Sequence, residues 1–411
     1  MSVKETYEGN ISEQTARLIK EMEAEAGNKS PFGFGDGEDS AVLKTADAER
    51  INTASGDWSV AMGSRNEALG KECFVVGGLS TAGAAESTPG ADDGANDCAA
   101  IGYRVQATGE NSMATGYRTK ATGKQAVAQG KYSRASGNNS HAEGSGNSEN
   151  GTNEQTTASG DNSHAEGWQT QSTAWATHSE GSNTKATAEA AHAEGKSTTA
   201  SASKAHAEGY DTTAAAEASH AEGYGSQVTA NGARGHAEGN ATICNAYSAH
   251  AEGQETNADG ARSHAEGKGT STSGDAAHAE GNSTTASGDY SHAGGDQSSS
   301  AGIASFAHGR DARADHAASC AIGGFVKTTA DYQTVVGKYN YTAGTAGDPD
   351  VNYADQTSLF AVGAGHNLQD GACCFQTGYG DVDQSGTSKH YIKIGSTVLT
   401  EDQLIALLRQ L

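Results

Sequence analysis

One short phrase, Ser-His-Ala-Glu-Gly, returns along this chain at intervals of 14 residues. It reads cleanly at Ser263-His264-Ala265-Glu266-Gly267 and returns at Ser291-His292-Ala293, where Gly294 replaces the Glu. The central Ala recurs at Ala193, Ala207 and Ala221. After a two-residue insertion it continues at Ala237, Ala251, Ala265, Ala279, Ala293, Ala307 and Ala321. A fixed short period means that one small unit is repeated. Such a unit cannot bury its own apolar face, so it must stack on its neighbours as a solenoid.

The repeat settles a question that composition leaves open. The chain has 411 residues, of which 55 are Gly and 6% are aromatic. So few large apolar groups would leave an ordinary globular chain unable to offset its conformational entropy. Small residues at fixed spacing can instead fill a very thin core. The net charge of −24 provides no basic patch for phosphates, so nucleic acid is not expected as a partner. Met1–Asn10 is polar with no apolar stretch after it, and nowhere do ~18 apolar residues run together. The expectation is a chain made in a cytoplasm, without membrane insertion. Cys73, Cys98, Cys244, Cys320, Cys373 and Cys374 mostly occupy slots that hold Ser, His or Ala in other repeats. They read as small buried fillers rather than a disulfide framework.

Three regions follow. Residues 1–50 lie outside the repeat and form an expected attachment segment. Ser12–Ala26 reads as a short helix ended by Gly27, and Phe32–Gly37 as a glycine hinge. Residues 57–380 carry the repeats. With the central residue as a ruler, rungs fall at Ala61, Val75, Ala100, Ala114, Ala128, Ala142, Ala165 and Ser179. They run through the series above to Val335, Ala361 and Gln376, making 21 rungs. Extra residues interrupt the period between Val75 and Ala100, between Ala142 and Ala165, and between Val335 and Ala361. Such insertions become loops on one face. Each unit divides into two halves of seven, as in Asn282–Gly288 and Asp289–Gly295, with Gly expected at the corners. Coils stacked at ~4.7–4.8 Å would make a rod of about 100 Å. Residues 388–411 read as a hairpin, Tyr391–Ile394 and Thr397–Leu399, followed by an apolar helix to Leu411 that needs partner helices.

Alternation along a strand sends Ser, Ala and Gly of the phrase to one side and His and Glu to the other. The small side is the expected coil interior. The His and Glu slots hold Val60 and Met62, Phe74 and Val76, then Ala99 and Ile101 in the first rungs, and Cys320 and Ile322, then Phe360 and Val362 in the last. Only the rungs from His141 to His292 carry His. Large apolar residues should not be left in water, and Ala already fills the coil. This face is therefore expected to pack on other copies of the chain. The expected interface comprises Val60, Met62, Phe74, Val76 and Ile101; His141, Glu143, His164, Glu166, His206, Glu208, His264, Glu266, His278 and Glu280; and Ile322, Phe360, Val362, Leu404 and Leu408.

Ser59-Val60-Ala61-Met62-Gly63 and Cys320-Ala321-Ile322-Gly323 resemble the repeat of trimeric autotransporter adhesin heads, over about residues 57–380. The resemblance implies a left-handed parallel β-roll and a homotrimer, with the first and third strand positions facing the neighbouring chains. His and Glu depart from the apolar residues of that family. Its secretion signal and membrane barrel are not recognised. The C-terminal Ile394-Gly395-Ser396-Thr397-Val398-Leu399-Thr400 with its apolar helix is similar to the ends of bacteriophage fibre proteins.

Enzymatic readings find little support. His-Ala-Glu begins a zinc-deaminase signature that needs a following Pro-Cys-x-x-Cys, and the only prolines are Pro31, Pro89 and Pro349. A glycan-cleaving tailspike would need an isolated carboxylate pair, and none stands apart from the repeat. For the His ladder, His–Glu pairing between chains is favoured over metal; no cofactor or metal is expected. The resulting expectation is an all-β homotrimeric solenoid with short helices at both termini. It would serve as a non-enzymatic bacteriophage head or tail fibre within the virion, attached to other virion proteins through its N-terminal segment and presenting loops to a host surface glycan or protein. A bacterial surface adhesin exported without a classical signal is the alternative.

Overall fold

The computed structural model describes residues 32–36, 38–43, 51–84, 95–146, 155–338, 358–364, 373–379, 390–394 and 397–400, together with Gln403, Ile405 and Ala406. The chain divides into two compact units, Met1–Glu208 and Gly209–Leu411. Both are parallel β-solenoids built on the 14-residue period.

A coil contains one five-residue strand and one two-residue strand. In the first unit, Val60–Ser64 pairs in parallel with Phe74–Gly78, which pairs with Ala99–Tyr103, then Met113–Tyr117, Val127–Lys131 and His141–Ser145. His164–Trp168, His178–Ser182 and His192–Lys196 follow. A second parallel ladder runs from Thr53–Ala54 through Lys120–Ala121 to Thr199–Ala200. In the second unit the five-residue ladder runs from His220–Tyr224 to Thr334–Lys338 and Ser358–Ala364. Central residues pair with central residues throughout. Even across the interruptions, Val75 faces Ala100, Ala142 faces Ala165, Ala221 faces Ala237 and Val335 faces Ala361. The insertions therefore leave the register intact. The inserted stretches 85–94, 147–154 and 339–357 lie outside the described residues.

The interior is made of small side chains. Ala114, Ala128, Ala142 and Ala165 from the long strands, and Ala121, Ala135 and Ala158 from the short ones, are fully buried. The Ser before His is buried too, and the hydroxyls of Ser140, Ser163 and Ser219 each donate to a carbonyl three residues earlier, as from Ser163 to Gly160 at 2.6 Å. That bond offsets the cost of burying a hydroxyl. Cys73, Cys98 and Cys244 are buried free thiols, consistent with their reading as fillers.

Glycine plays a different role from the one expected. The corners use left-handed residues at every seventh position, mostly not Gly: Arg118, Gln125, Tyr132 and Asn139 have φ of 55°, 54°, 60° and 53°. Each turns its N–H onto a carbonyl of the preceding coil, as Gln125 does to Glu110 at 2.7 Å and Asn139 to Lys124 at 2.8 Å. Neighbouring coils thus hold a conformation that is disfavoured for these residues in isolation. The Gly of the phrase sits inside the strand. A Cβ on Gly267, at φ +106°, would lie 2.2 Å from the carbonyl oxygen of Gly281 in the next rung.

The ends of the repeat differ from the sequence reading. Phe32–Phe34, expected as part of a hinge, is a strand antiparallel to Ala41–Leu43. Ala41–Leu43 pairs in parallel with the Val60 strand, Val42 opposite Ala61, so the stack begins before residue 57. Gln376 is not a parallel rung. Cys373–Tyr379 runs antiparallel to Ser358–Ala364, and His390–Ile394 and Thr397–Thr400 continue as an antiparallel meander. The expected hairpin is present there. Gln403, Ile405 and Ala406 are helical. The Ser12–Ala26 helix, Leu404 and Leu408 lie outside the described residues.

Candidate functional site: the histidine and carboxylate face

The first and third residues of each five-residue strand point away from the alanine core, as side-chain alternation requires. In the first unit this face opens with Val60, Met62, Phe74, Val76 and Ile101. Phe74 is 37% and Ile101 40% exposed. Met113, also exposed, shares the first slot and was missed in the expected interface, although the same 14-residue ruler reaches it. Then come His141 with Glu143, His164 with Glu166, and His206 with Glu208. In the second unit, His264 with Glu266 and His278 with Glu280 continue the pattern. It gives way to Phe306 and His308, then Cys320 and Ile322. Phe306 was likewise missed. His308 lies in the carboxylate column, its Nδ1 3.9 Å from Glu280. Phe360 and Val362 keep register with Thr334 and Val336.

Rung spacing stacks the imidazoles of the His column within each unit. In the first unit, centroids from His141 to His206 are 4.7–4.9 Å apart. In the second, those from His220 to His278 are 4.7–5.0 Å apart with interplanar angles of 1–6°. Most of the Nε2 atoms approach a carboxylate. His141 lies 3.7 Å from Glu143, His192 3.6 Å from Glu194, His236 3.5 Å from Glu238 and His250 3.7 Å from Glu252. From His264 onward the nearer carboxylate belongs to the preceding rung: Glu252 at 4.0 Å for His264, Glu266 at 3.5 Å for His278 and Glu280 at 3.6 Å for His292.

These are ion-pair distances and not hydrogen bonds. The Nε2 atoms of His164, His178, His192, His236, His250, His264 and His278 are buried within the chain without a hydrogen-bond partner. Within one chain these imidazoles and carboxylates approach one another without hydrogen bonding. Burial, followed by repulsion from the neighbouring imidazoles, lowers the pKa of His141, His178, His192, His250 and His292, against the opposing pull of nearby carboxylates. The face thus sets stacked imidazoles beside carboxylates that are one-third to one-half exposed. Another exposed column, at the fifth strand position, holds aromatic residues. Tyr103 stacks on Tyr117 at 5.6 Å, and Tyr210 on Tyr224 at 5.0 Å.

Residues 100–119, 107–133 and 121–147 match the YadA head domain repeat as overlapping stretches. No curated protein matches the chain.

Proposed function

We propose, from the YadA head repeats within residues 100–147, that this chain is the subunit of a homotrimeric, adhesin-like fibre carried by a bacteriophage virion. The observation that carries the reading is the outward strand face. It holds exposed Phe74, Ile101 and Met113 in one unit and exposed Phe306 and Ile322 in the other. Each such side chain contributes about 1.5–3 kcal/mol when removed from water. Three copies packed through this face would cover them, with the His and Glu rungs favouring one register over slipped ones. The YadA likeness and the β-solenoid point to a structural protein rather than an enzyme. Left-handedness and the number three come from the family resemblance. Residues 1–50 would dock on other virion proteins, and the three insertions would meet the host surface by multivalent weak contact.

A bacterial surface adhesin fits the same observations equally well. The C-terminal resemblance to phage fibre ends favours the virion. Light scattering of the full chain tests the assembly: three times the 41.6 kDa chain mass supports it, and a monomer overturns it. Phe74→Asp with Ile101→Asp should lower that mass. Peptides of this chain in purified phage particles would support the virion reading. Peptides confined to a bacterial surface fraction would support the adhesin.

A further inference from the structure

The His and Glu columns of the second unit form more than an ion-pair ladder. His236, Glu238 and His250 each offer a ligand atom within 4.8 Å of the other two, and so do His250, Glu252 and His264. The Nε2 atoms of all three histidines are buried and lack a hydrogen-bond donor or acceptor. Beside them runs a groove of about 600 Å³ lined by Glu238, Glu252, Glu266 and Glu280. Parallel strand pairing keeps the columns in register, so each rung presents the same donor set to the next.

We propose that rungs 236–292 form a row of divalent transition-metal sites of the zinc class. Each ion would be held by the imidazoles of two successive rungs and a carboxylate between them. Imidazole and carboxylate ligands lie at ~2.0–2.2 Å from zinc, which sets donor-to-donor edges of roughly 3.3–3.5 Å in a tetrahedron. The Nε2-to-carboxylate distances of 3.5 Å at His236 and 3.7 Å at His250 already approach that edge. The stacked ring centroids lie 4.8 Å apart for His236 with His250 and 4.7 Å apart for His250 with His264. An imidazole lone pair lies in the plane of its ring, so two such rings must rotate about their side-chain bonds before both Nε2 atoms face one ion. Each Nε2 has one lone pair, so an imidazole serves one ion, and within one chain ions occupy alternate gaps. The borderline softness of the N/O donor set favours zinc, cobalt or nickel over calcium. The sites use ligands from one chain and do not rest on the trimer.

The full-length protein, stripped with a chelator, would be titrated with Zn²⁺, with Co²⁺ and with Ca²⁺ by calorimetry. Co²⁺ would also be followed by its visible absorption, which reports nitrogen ligation and coordination geometry. The matching variant is His250→Phe with His278→Phe, which leaves no two adjacent His among rungs 236–292. The stack should tolerate it, because Phe306 already occupies this column and stacks on His292 at 4.8 Å. The expected result is binding of about two Zn²⁺ per chain at these rungs, a Co²⁺ spectrum with nitrogen ligands, and a lower stoichiometry in the variant. In the wild type, zinc should shield His236, His250, His264 and His278 from an imidazole-modifying reagent, as mapped by mass spectrometry. Unchanged stoichiometry and shielding in the variant, or Ca²⁺ displacing Zn²⁺ at equal concentration, would overturn the proposal. Zinc binding by a monomeric chain would sink the trimer and leave the metal sites standing.

Discussion

Replacing Gly267 with Ala tests whether glycine in the repeated phrase is a packing requirement or a turn residue. The new Cβ would sit 2.2 Å from the carbonyl oxygen of Gly281, whereas ordinary contact begins at 3.4 Å. The two rungs would have to separate by about 1.2 Å there. His264 N–H donates to the carbonyl of Ala277 at 2.9 Å, and a separation of that size takes such a bond out of range. Losing roughly three bonds of this ladder at about 1 kcal/mol each, with a further ~1–3 kcal/mol for Ala at φ +106°, gives about 4–6 kcal/mol. Gly269 is the control. It has φ +62°, and its nearest neighbour to a new Cβ is Ser283 Oγ at 3.7 Å. Gly269→Ala should therefore cost only about 1–2 kcal/mol for the left-handed backbone. Stacked repeats need not unfold in one step, so the readout should be local. Amide exchange across residues 264–281 should show protection in Gly267→Ala below that in Gly269→Ala by a factor of about 30 or more. Equal protection in the two variants would refute the argument that rung contact demands this glycine.

Thr198 is fully buried with no partner for its hydroxyl, and Val105 and Val326 fill the same column. Thr198→Val should therefore stabilise the fold by ~1 kcal/mol in denaturant melts. Ala276 holds a corner at φ 51°, so Ala276→Gly should raise stability by about 0.5–1 kcal/mol, visible as slower local exchange. Five histidines have folded-state pKa values below the usual value near 6.5, so the unfolded chain binds protons first as pH falls. Their stabilising contribution is complete above pH ~6.5 and is lost as pH drops from there through the lowered folded values. Glu252, raised chiefly by its contact with Glu266, works in the opposite sense, but it is a single group against five. A melting temperature that does not fall below pH 6.5 would contradict the ladder reading. Burial raises the pKa of the Cys244 thiol and shields it, so alkylation should await unfolding, as followed by intact mass.

The period, the parallel register and the inward alanine column were determined by the sequence alone. Strand alternation has a period of two, so once Ala193 and its 14-residue kin are aligned, the side taken by His and Glu follows. The same ruler carried the register across three long insertions, since stacking depends on matched slots and not on loop length. It reached Phe74, Ile101 and Ile322, and applied to every rung it also reaches Met113 and Phe306. The positions of glycine and of the left-handed corners were decided by the tertiary structure. A φ at Gln125 or Tyr132 depends on the carbonyl that a neighbouring coil offers its N–H, and Gly267 is needed only because Gly281 stacks against it. The same holds for Phe32–Phe34, which read as a hinge by composition but finds a partner in Ala41–Leu43, and for Cys373–Tyr379, whose reversal no local signal marks. The shift of His264 toward Glu252 is also a cross-rung outcome. Local pattern sets which residues face inward. Contacts between coils decide backbone strain, strand direction and which carboxylate each imidazole meets.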